Sequence, residues 1–443
     1  MVESLHSTDG RRIDPTSRTP TKPDGTPDLN DRTEIGPTDL AFNEWAESEL
    51  TPPDLNALRL YRLNRVREQL RAYDHAGLLL WDPVNIRYAT DACHMQIWGS
   101  RDHFRACFIA TDGPVVMFTL PACQHVFHYL PTVDECRPLT AFYYWEVKNR
   151  DQEFAEIFAR EIDDLVRRYG GKNRRIAVDK MELVGIRAFD RLGLEIKNGQ
   201  EIVAHARKVK DQNELRAMRW GIDATHRAMD AMHAAMRPGM TENDLWAILQ
   251  HENIRRGGEW IETRLLCSGP RTNPWFQECG PRKIQDGDLV AFDTDLIGPY
   301  GYCVDISRTW LCGDARPSNE QVHLFNLGLE MLNHNRDILK AGKTFKQVAD
   351  DGYVMPETYV EQRYSGTHHG VGLADEYPLI LYKSDFYDYG YDGELLPGMV
   401  LSVEAYMGAV GGTNGVKLED MVVITENGAE TLSPYPFDER LHG

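Results

Sequence analysis

The feature that most restricts how this chain can fold is a pair of glutamates placed inside apolar segments near its end. Glu404 and Glu419 are each flanked by aliphatic residues, in the segments 401–406 and 416–424. Burying a carboxylate among apolar side chains is costly unless the group is paired with a cation or bound to a metal ion. The sequence therefore predicts that the fold brings cations to these two positions.

Three aspartates and a histidine extend this set of candidate ligands. Asp293 and Asp295 alternate with Thr294 in an apolar run, and in a strand such residues point to the same side. Asp305 follows a Gly-Pro-Tyr-Gly turn, which can bring it opposite that pair. Five carboxylates and one imidazole exceed what one ion usually takes, and they suit two divalent ions sharing bridging carboxylates. The predicted metal ligands are Asp293, Asp295, Asp305, His369, Glu404 and Glu419.

Composition and charge exclude several classes of function. A length of 443 residues allows two domains with large cores, and a net charge of −19 argues against nucleic acid or an anionic membrane as partner. We find no apolar run long enough for a transmembrane helix and expect no secretory signal. The eight cysteines lack paired spacing, which is typical of reduced thiols in a cytoplasmic protein.

The order of predicted elements divides the chain into three parts. Residues 1–53 are rich in Pro, Thr, Asp and Gly, which predicts an extended arm. Residues 54–203 alternate helix and strand signals, as in a mixed α/β domain. Residues 204–443 open with a capping-box signature at Asp211 and Glu214 and end in strand-rich segments. The predicted fold class is therefore α/β (α+β), with an N-terminal and a C-terminal domain.

The motifs around the candidate ligands resemble the creatinase/prolidase/methionine aminopeptidase superfamily. The resemblance covers residue 54 to the end and implies a creatinase-like N-terminal domain, a C-terminal pita-bread domain with a dinuclear metal site, and a homodimer. The segments that carry it are Asp82-Pro-Val-Asn-Ile-Arg-Tyr, Ser268-Gly-Pro, Asp305-Ile-Ser-Arg-Thr, His369-Gly-Val-Gly-Leu and Val416-Lys-Leu-Glu-Asp.

Three positions depart from the pattern of the peptidases in that superfamily. Thr294 stands eleven residues before Asp305, where the family places an aspartate. Trp275 follows an Asn-Pro pair where the peptidases carry a histidine, and Asp375 stands near the place of a second histidine. The peptidase histidines contact the scissile amide, and losing hydrogen-bond donors where oxyanion charge develops raises the barrier. These departures disfavour peptide hydrolysis.

The same departures resemble the dimethylsulfoniopropionate lyases of the superfamily. That resemblance implies β-elimination of a small zwitterion to dimethyl sulfide and acrylate, with two divalent ions, iron in particular, and Asp375 as general base. Spacing alone also permits zinc, manganese or cobalt. Aromatic side chains suit a cationic substrate group. The candidate substrate contacts are Tyr364, Trp98, Trp275 and His368.

Two other readings stay open at the level of sequence. One is a hydrolase of C–N bonds, such as an Xaa-Pro peptidase, a prolidase or a creatinase-like enzyme, which a histidine in place of Trp275 would favour. The other is a pita-bread module that binds proteins without catalysis. The donor residues retained at every ligand position speak against that module.

Overall fold

The computed structural model describes residues 35–442 apart from residues 122 and 128. Contacts divide the chain into two compact units. One contains Pro52–Arg207, and the other combines Gly36–Thr51 with Lys208–Gly443. The helices are α1 (Asp39–Glu47), α2 (Leu55–Ala72), α3 (Pro83–Thr90), α4 (Gln96–Arg101), α5 (Tyr144–Val147), α6 (Asp151–Gly170), α7 (Leu183–Arg191), α8 (Gly199–Arg207), α9 (Gln212–Ala235), α10 (Glu242–Arg255), α11 (Asn319–Asp337), α12 (Phe345–Asp351), α13 (Glu357–Val360) and α14 (Lys383–Tyr389).

The strands form one sheet in the first unit and three sheets in the second. In the first unit the order is β4-β3-β2-β1-β5-β6, and in the second the orders are β10-β9, β11-β8-β7 and β13-β12-β14-β15-β16. The strands are β1 (Gly77–Leu80), β2 (Ala106–Ala110), β3 (Val115–Thr119), β4 (Glu135–Pro138), β5 (Arg175–Val178), β6 (Glu195–Asn198), β7 (Leu266–Ser268), β8 (Leu289–Asp293), β9 (Leu296–Ile297), β10 (Cys303–Val304), β11 (Ser307–Leu311), β12 (His368–Val371), β13 (Asp375–Ile380), β14 (Val400–Gly408), β15 (Gly415–Ile424) and β16 (Ala429–Thr431).

The first unit is a mixed sheet covered by amphipathic helices. Strand β1 pairs antiparallel with β2 and parallel with β5, so it lies at the centre and all four of its residues are buried. Phe108 and Phe118 from the sheet pack with Phe158 and Ile162 of α6 in one core. An uninterrupted apolar run is what a strand buried on both faces requires.

Helix α1 lies in the segment that the sequence predicted as an extended arm. Residues 1–34 of that segment are outside the described residues, and Asp39–Glu47 is helical. The physical reason is a tertiary contact, because Trp45 stacks on Trp220 of α9 at 4.1 Å and donates from Nε1 to the Trp220 carbonyl at 2.9 Å. Phe42 joins the same cluster. Packing of an apolar face stabilises a short helix that composition alone does not favour.

The second unit places its longest strand pair at the centre of a five-stranded sheet. Helix α9 begins at the predicted capping box, in which Asp211 and Glu214 exchange hydrogen bonds with each other's backbone. Strands β14 and β15 are buried along their whole length and pair antiparallel, with Glu404 directly opposite Glu419. Helix α11 contributes Leu324, Phe325 and other residues to the core behind them. The two buried glutamates are therefore neighbours across a ladder. No helix in the described part of the chain has the length and apolar character needed to cross a membrane.

We expect Trp45→Ala to destabilise the second unit by about 3–5 kcal/mol, the usual cost of deleting a large buried aromatic side chain. Trp45 is 1% exposed. Chemical unfolding followed by circular dichroism measures the change. The matched control is Trp145→Ala, because Trp145 is 61% exposed. Equal unfolding midpoints for the two variants would contradict the packing role of α1.

Candidate metal centre

Four predicted ligands converge where β12, β14 and β15 meet the segment after β10. His369 in β12 pairs with Ser402 of β14, which places its ring beside Glu404 and Glu419. The His369 Nε2 atom lies 3.2 Å from Glu404 Oε1, 3.3 Å from Asp305 Oδ2 and 3.8 Å from Glu419 Oε1. Ligand atoms of all four residues lie within 4.8 Å of one another, close enough to surround one ion.

The other aspartates form a second group that shares a member with the first. Asp293, Asp295 and Asp305 also have ligand atoms within 4.8 Å of one another. Strand alternation predicted that Asp293 and Asp295 point to the same side. In the structure, β8 ends at Asp293 and Asp295 has a positive φ of 36°. A sharp turn, rather than a continued strand, directs Asp295 to the group. Between them, Thr294 uses its hydroxyl to bond the carbonyl of Val304 and the amide of Ile306, which ties β8 to the segment of Asp305.

The donor set fits a pair of divalent ions. Asp293 Oδ1, Asp305 Oδ1 and Glu419 Oε1 are buried and have no hydrogen-bond partner among the described residues. Buried polar atoms are nearly always satisfied, so these three oxygens indicate a ligand. Hard carboxylate oxygens with one imidazole nitrogen suit divalent iron, manganese, zinc or cobalt. Because Asp305 belongs to both groups, its carboxylate would be a ligand shared by two ions.

The pKa values show how much the site depends on cations. Burial, reinforced by the neighbouring Glu419 carboxylate, raises the pKa of Asp293 to about 7. Burial also raises the pKa values of Asp295 and Asp305 well above their usual range. Burial acts in the same direction on Glu419, but the neighbouring Lys417 ammonium group holds its pKa below the usual range. Further positive charge bound at the site would favour the ionised form of these carboxylates.

Lys417 is a member of the site that the sequence analysis did not single out. Its ammonium group is fully buried and lies 3.2 Å from Asp293 Oδ2, 2.5 Å from Glu404 Oε2 and 3.0 Å from Glu419 Oε2. It also donates to Ser307 Oγ at 2.7 Å. A signal was present in the sequence, because Lys417 lies two residues before Glu419 on an apolar strand and so shares its side of the sheet.

Hydroxyl groups orient the remaining carboxylates. Ser402 donates to Asp305 Oδ2 at 3.0 Å, Ser307 donates to Glu419 Oε2 at 2.8 Å, and Thr263 donates to Asp295. Such outer hydrogen bonds hold metal ligands in one orientation. Single Ser and Thr residues form no sequence motif, so their hydrogen bonds to the carboxylates could not be predicted from the sequence.

Asp375 lies at the rim of the site rather than among the buried ligands. Its Oδ1 atom is 3.9 Å from His369 Nδ1, and its side chain is 49% exposed. Desolvation among the crowded carboxylates raises the pKa of Asp375 to about 6, against the opposing effect of His369. The close approach of β13 requires Gly370, since a Cβ atom there would lie 2.3 Å from the Tyr377 carbonyl oxygen. The glycine-rich motif thus brings Asp375 beside the histidine.

Two of the predicted substrate aromatics also lie at the site. The ring centroids of Tyr364 and Trp275 lie 4.8 Å and 5.8 Å from the Lys417 ammonium group. Tyr364 also stacks on Phe276 at 5.1 Å, and Phe276 is 57% exposed. The aromatic cluster therefore already contacts a cation of the protein and presents Phe276 to solvent.

The other two predicted substrate residues are placed differently. His368 is fully buried, and its ring nitrogens bond Thr367 Oγ1 at 3.0 Å and the Asn335 carbonyl at 3.1 Å. Adjacent strand residues point to opposite faces, and His369 takes the site face, so His368 lies on the other face of β12. A substrate contact by His368 stays a prediction. Burial lowers the pKa of His368 to about 4, so it is a neutral core residue. Trp98 lies in the first unit, stacked on Phe104 at 4.4 Å.

Comparison with known proteins identifies a family model and relatives that match this chain. Residues 216–426 match the model of metallopeptidase family M24. A protein named dimethylsulfoniopropionate lyase DddP from Roseovarius nubinhibens is 45% identical over 443 residues, 99% of each chain. A protein of the same name from Roseobacter denitrificans is 44% identical over 438 residues, 98% of each chain.

Solved structures agree in fold. An Xaa-Pro dipeptidase from Bacillus anthracis has a TM-score of 0.69 at 20% identity, over 86% of this chain and 99% of that one. The predicted fold class is confirmed: a mixed α/β chain with a creatinase-like N-terminal domain and a C-terminal pita-bread domain.

We expect Asp305→Asn to lose more bound metal than Asp295→Asn or Glu404→Gln, because Asp305 alone belongs to both ligand groups. Mass spectrometry of metal content per chain measures this loss. Asp388→Asn, an exposed substitution in α14, serves as the control that keeps wild-type content. Full occupancy in Asp305→Asn would refute the bridging role.

Proposed function

The chain belongs to the dimethylsulfoniopropionate lyase DddP family, and we propose that it is a metal-dependent carbon–sulfur lyase that converts dimethylsulfoniopropionate to dimethyl sulfide and acrylate. The observation that carries the proposed mechanism is the position of Asp375. The half-exposed carboxylate of Asp375 lies beside His369, a proposed metal ligand. A base at this place suits removal of a proton from a substrate held at the metal centre.

The metal part of the proposal is two divalent ions, iron in particular. The residues that would hold them are Asp293, Asp295, Asp305, His369, Glu404 and Glu419. Such ions, when bound, polarise a substrate carboxylate and make its adjacent carbon more acidic. The unpartnered buried oxygens of Asp293, Asp305 and Glu419 support their presence.

The proposed reaction is a β-elimination that needs one base. Asp375 accepts a proton from the carbon next to the substrate carboxylate, and the C–H electron pair becomes the new C=C bond of acrylate. The C–S bond breaks with its electron pair going to sulfur, so the sulfonium leaves as neutral dimethyl sulfide. A neutral leaving group requires no general acid. Exposure of Asp375 lets its proton return to solvent afterwards.

We propose that the sulfonium end of the substrate lies against the aromatic cluster of Tyr364, Trp275 and Phe276. An aromatic face attracts a cation within about 6 Å, most strongly when water is excluded. The rings of Tyr364 and Trp275 already contact the Lys417 ammonium group, and exposed Phe276 extends this surface to solvent. Trp98 stays a predicted substrate contact.

Hydrolysis of peptides is the alternative that the fold suggests, since solved structures of the same fold include an Xaa-Pro dipeptidase. Trp275 stands where the peptidases carry an amide-contacting histidine, and it is 7% exposed in an apolar cluster. Asp375, which replaces the second histidine, accepts hydrogen bonds when ionised and does not stabilise an oxyanion. These two residues favour elimination over hydrolysis.

The proposal also includes a homodimer in the cytoplasm. The homodimer follows from the resemblance to the creatinase/prolidase superfamily. The cytoplasm is supported by the eight cysteines, none of which is in a disulfide bond, as expected in a reducing compartment. Light scattering of the purified protein tests the oligomeric state.

We expect Asp375→Asn to reduce dimethyl sulfide release by at least about 100-fold, the usual scale for loss of a general base. Metal content is expected to stay at the wild-type value, because Asp375 lies outside both ligand groups. Headspace gas chromatography measures dimethyl sulfide. A proline dipeptide serves as the substrate for the alternative reaction, peptide hydrolysis.

The matched control is Asp388→Asn, which removes an exposed carboxylate in the same unit. Retention of activity in Asp375→Asn would remove the base assignment. Cleavage of the dipeptide by the wild-type protein, without dimethyl sulfide from the sulfonium substrate, would overturn the proposed reaction.

A further inference from the structure

Lys417 divides the oxygens of three ligand carboxylates between two directions. One oxygen from each of Asp293, Glu404 and Glu419 lies within 3.2 Å of the ammonium group. Of the other oxygens, Glu404 Oε1 faces His369 Nε2 at 3.2 Å, while Asp293 Oδ1 and Glu419 Oε1 have no hydrogen-bond partner among the described residues. The lysine thus occupies one side of the carboxylate cluster, and the side that includes His369 keeps two oxygens without a hydrogen bond.

The net charge of the carboxylate cluster explains why a buried cation lies beside it. Five ionised carboxylates and two divalent ions leave one negative charge, which a single ammonium group balances. Within the described residues, Lys417 and His369 are the only basic side chains within 4.0 Å of these carboxylates. An uncompensated charge in a buried site is costly.

The surroundings of Lys417 hold its ammonium group in place. Ser307 accepts one hydrogen bond at 2.7 Å, and the rings of Tyr364 and Trp275 cover it at 4.8 Å and 5.8 Å. The side chain is 0% exposed, so the ammonium group is shielded from bulk solvent. Carboxylates and aromatic rings together fix this cation more rigidly than a surface lysine is fixed.

We propose that Lys417 is a positioning residue that acts as a built-in counter-cation of the metal centre. Its ammonium group holds Asp293, Glu404 and Glu419 together when no metal is bound, and it leaves their remaining oxygens available to the ions. Lysine and metal ions attract the same carboxylates and repel each other. Lys417 therefore stabilises the metal-free protein and lowers the affinity for divalent ions.

The test compares Lys417→Met with Lys417→Arg in the full-length protein after treatment with a chelator. We expect metal-free Lys417→Met to melt at a lower temperature than wild type, because mutual repulsion of the carboxylates is no longer relieved. We expect its dissociation constant for Mn²⁺ to fall about tenfold or more, since the repulsion between the ammonium group and the ion is gone. Scanning calorimetry and isothermal titration with Mn²⁺ measure these effects. Lys417→Arg, which keeps the charge, is expected to lie closer to wild type.

Lys340→Met, a substitution of an exposed lysine in the same unit, is the matched control. The proposal is supported if folded Lys417→Met is obtained only with metal present and unfolds when a chelator removes the metal. An unchanged melting temperature of the metal-free variant, or Mn²⁺ affinity equal to or weaker than wild type, overturns it. No substrate is present in these measurements, so their outcome is independent of whether the protein releases dimethyl sulfide.

Discussion

The burial of five carboxylates in one small volume is the constraint on which the C-terminal unit depends. Three come from the segments around β8 to β11, and two face each other across β14 and β15. Like charges at such distances cannot all persist without cations, as the raised pKa values of Asp293, Asp295 and Asp305 show. The strands therefore pack around this centre with positive charge supplied by His369 and Lys417.

The clustering of most candidate ligands could be predicted from the sequence, because burial of charge has a strong signature. A glutamate between aliphatic residues in a strand, such as Glu404, marks a cation site. The sequence could also have placed His368 on the face opposite to His369, since the two residues are neighbours along β12. The position of Lys417 could have been predicted in a similar way. It lies two residues before Glu419 on β15, so the two side chains point to the same face of the sheet.

Other parts of the structure depend on contacts that sequence patterns do not contain. The positive φ of Asp295 directs its carboxylate to the cluster through a turn, although strand alternation gave the same grouping for a different reason. Helix α1 forms because Trp45 stacks on Trp220, a residue 175 positions away in the chain. The hydroxyl groups of Ser402 and Ser307 orient ligands through single hydrogen bonds. Long-range packing of this kind overrides local propensity.

The same metal-ligand frame can serve different reactions, and residues beside the ligands decide between them. In this chain Asp375 places a carboxylate at the rim, and Trp275 lies in an apolar cluster. The most direct test titrates the chelated protein with Fe²⁺ and measures dimethyl sulfide and acrylate together. The account predicts no release without metal, and equal amounts of both products rising until two ions are bound per chain. Release of dimethyl sulfide by the metal-free protein would contradict the account. Product release that reaches its maximum with no metal bound would also contradict it.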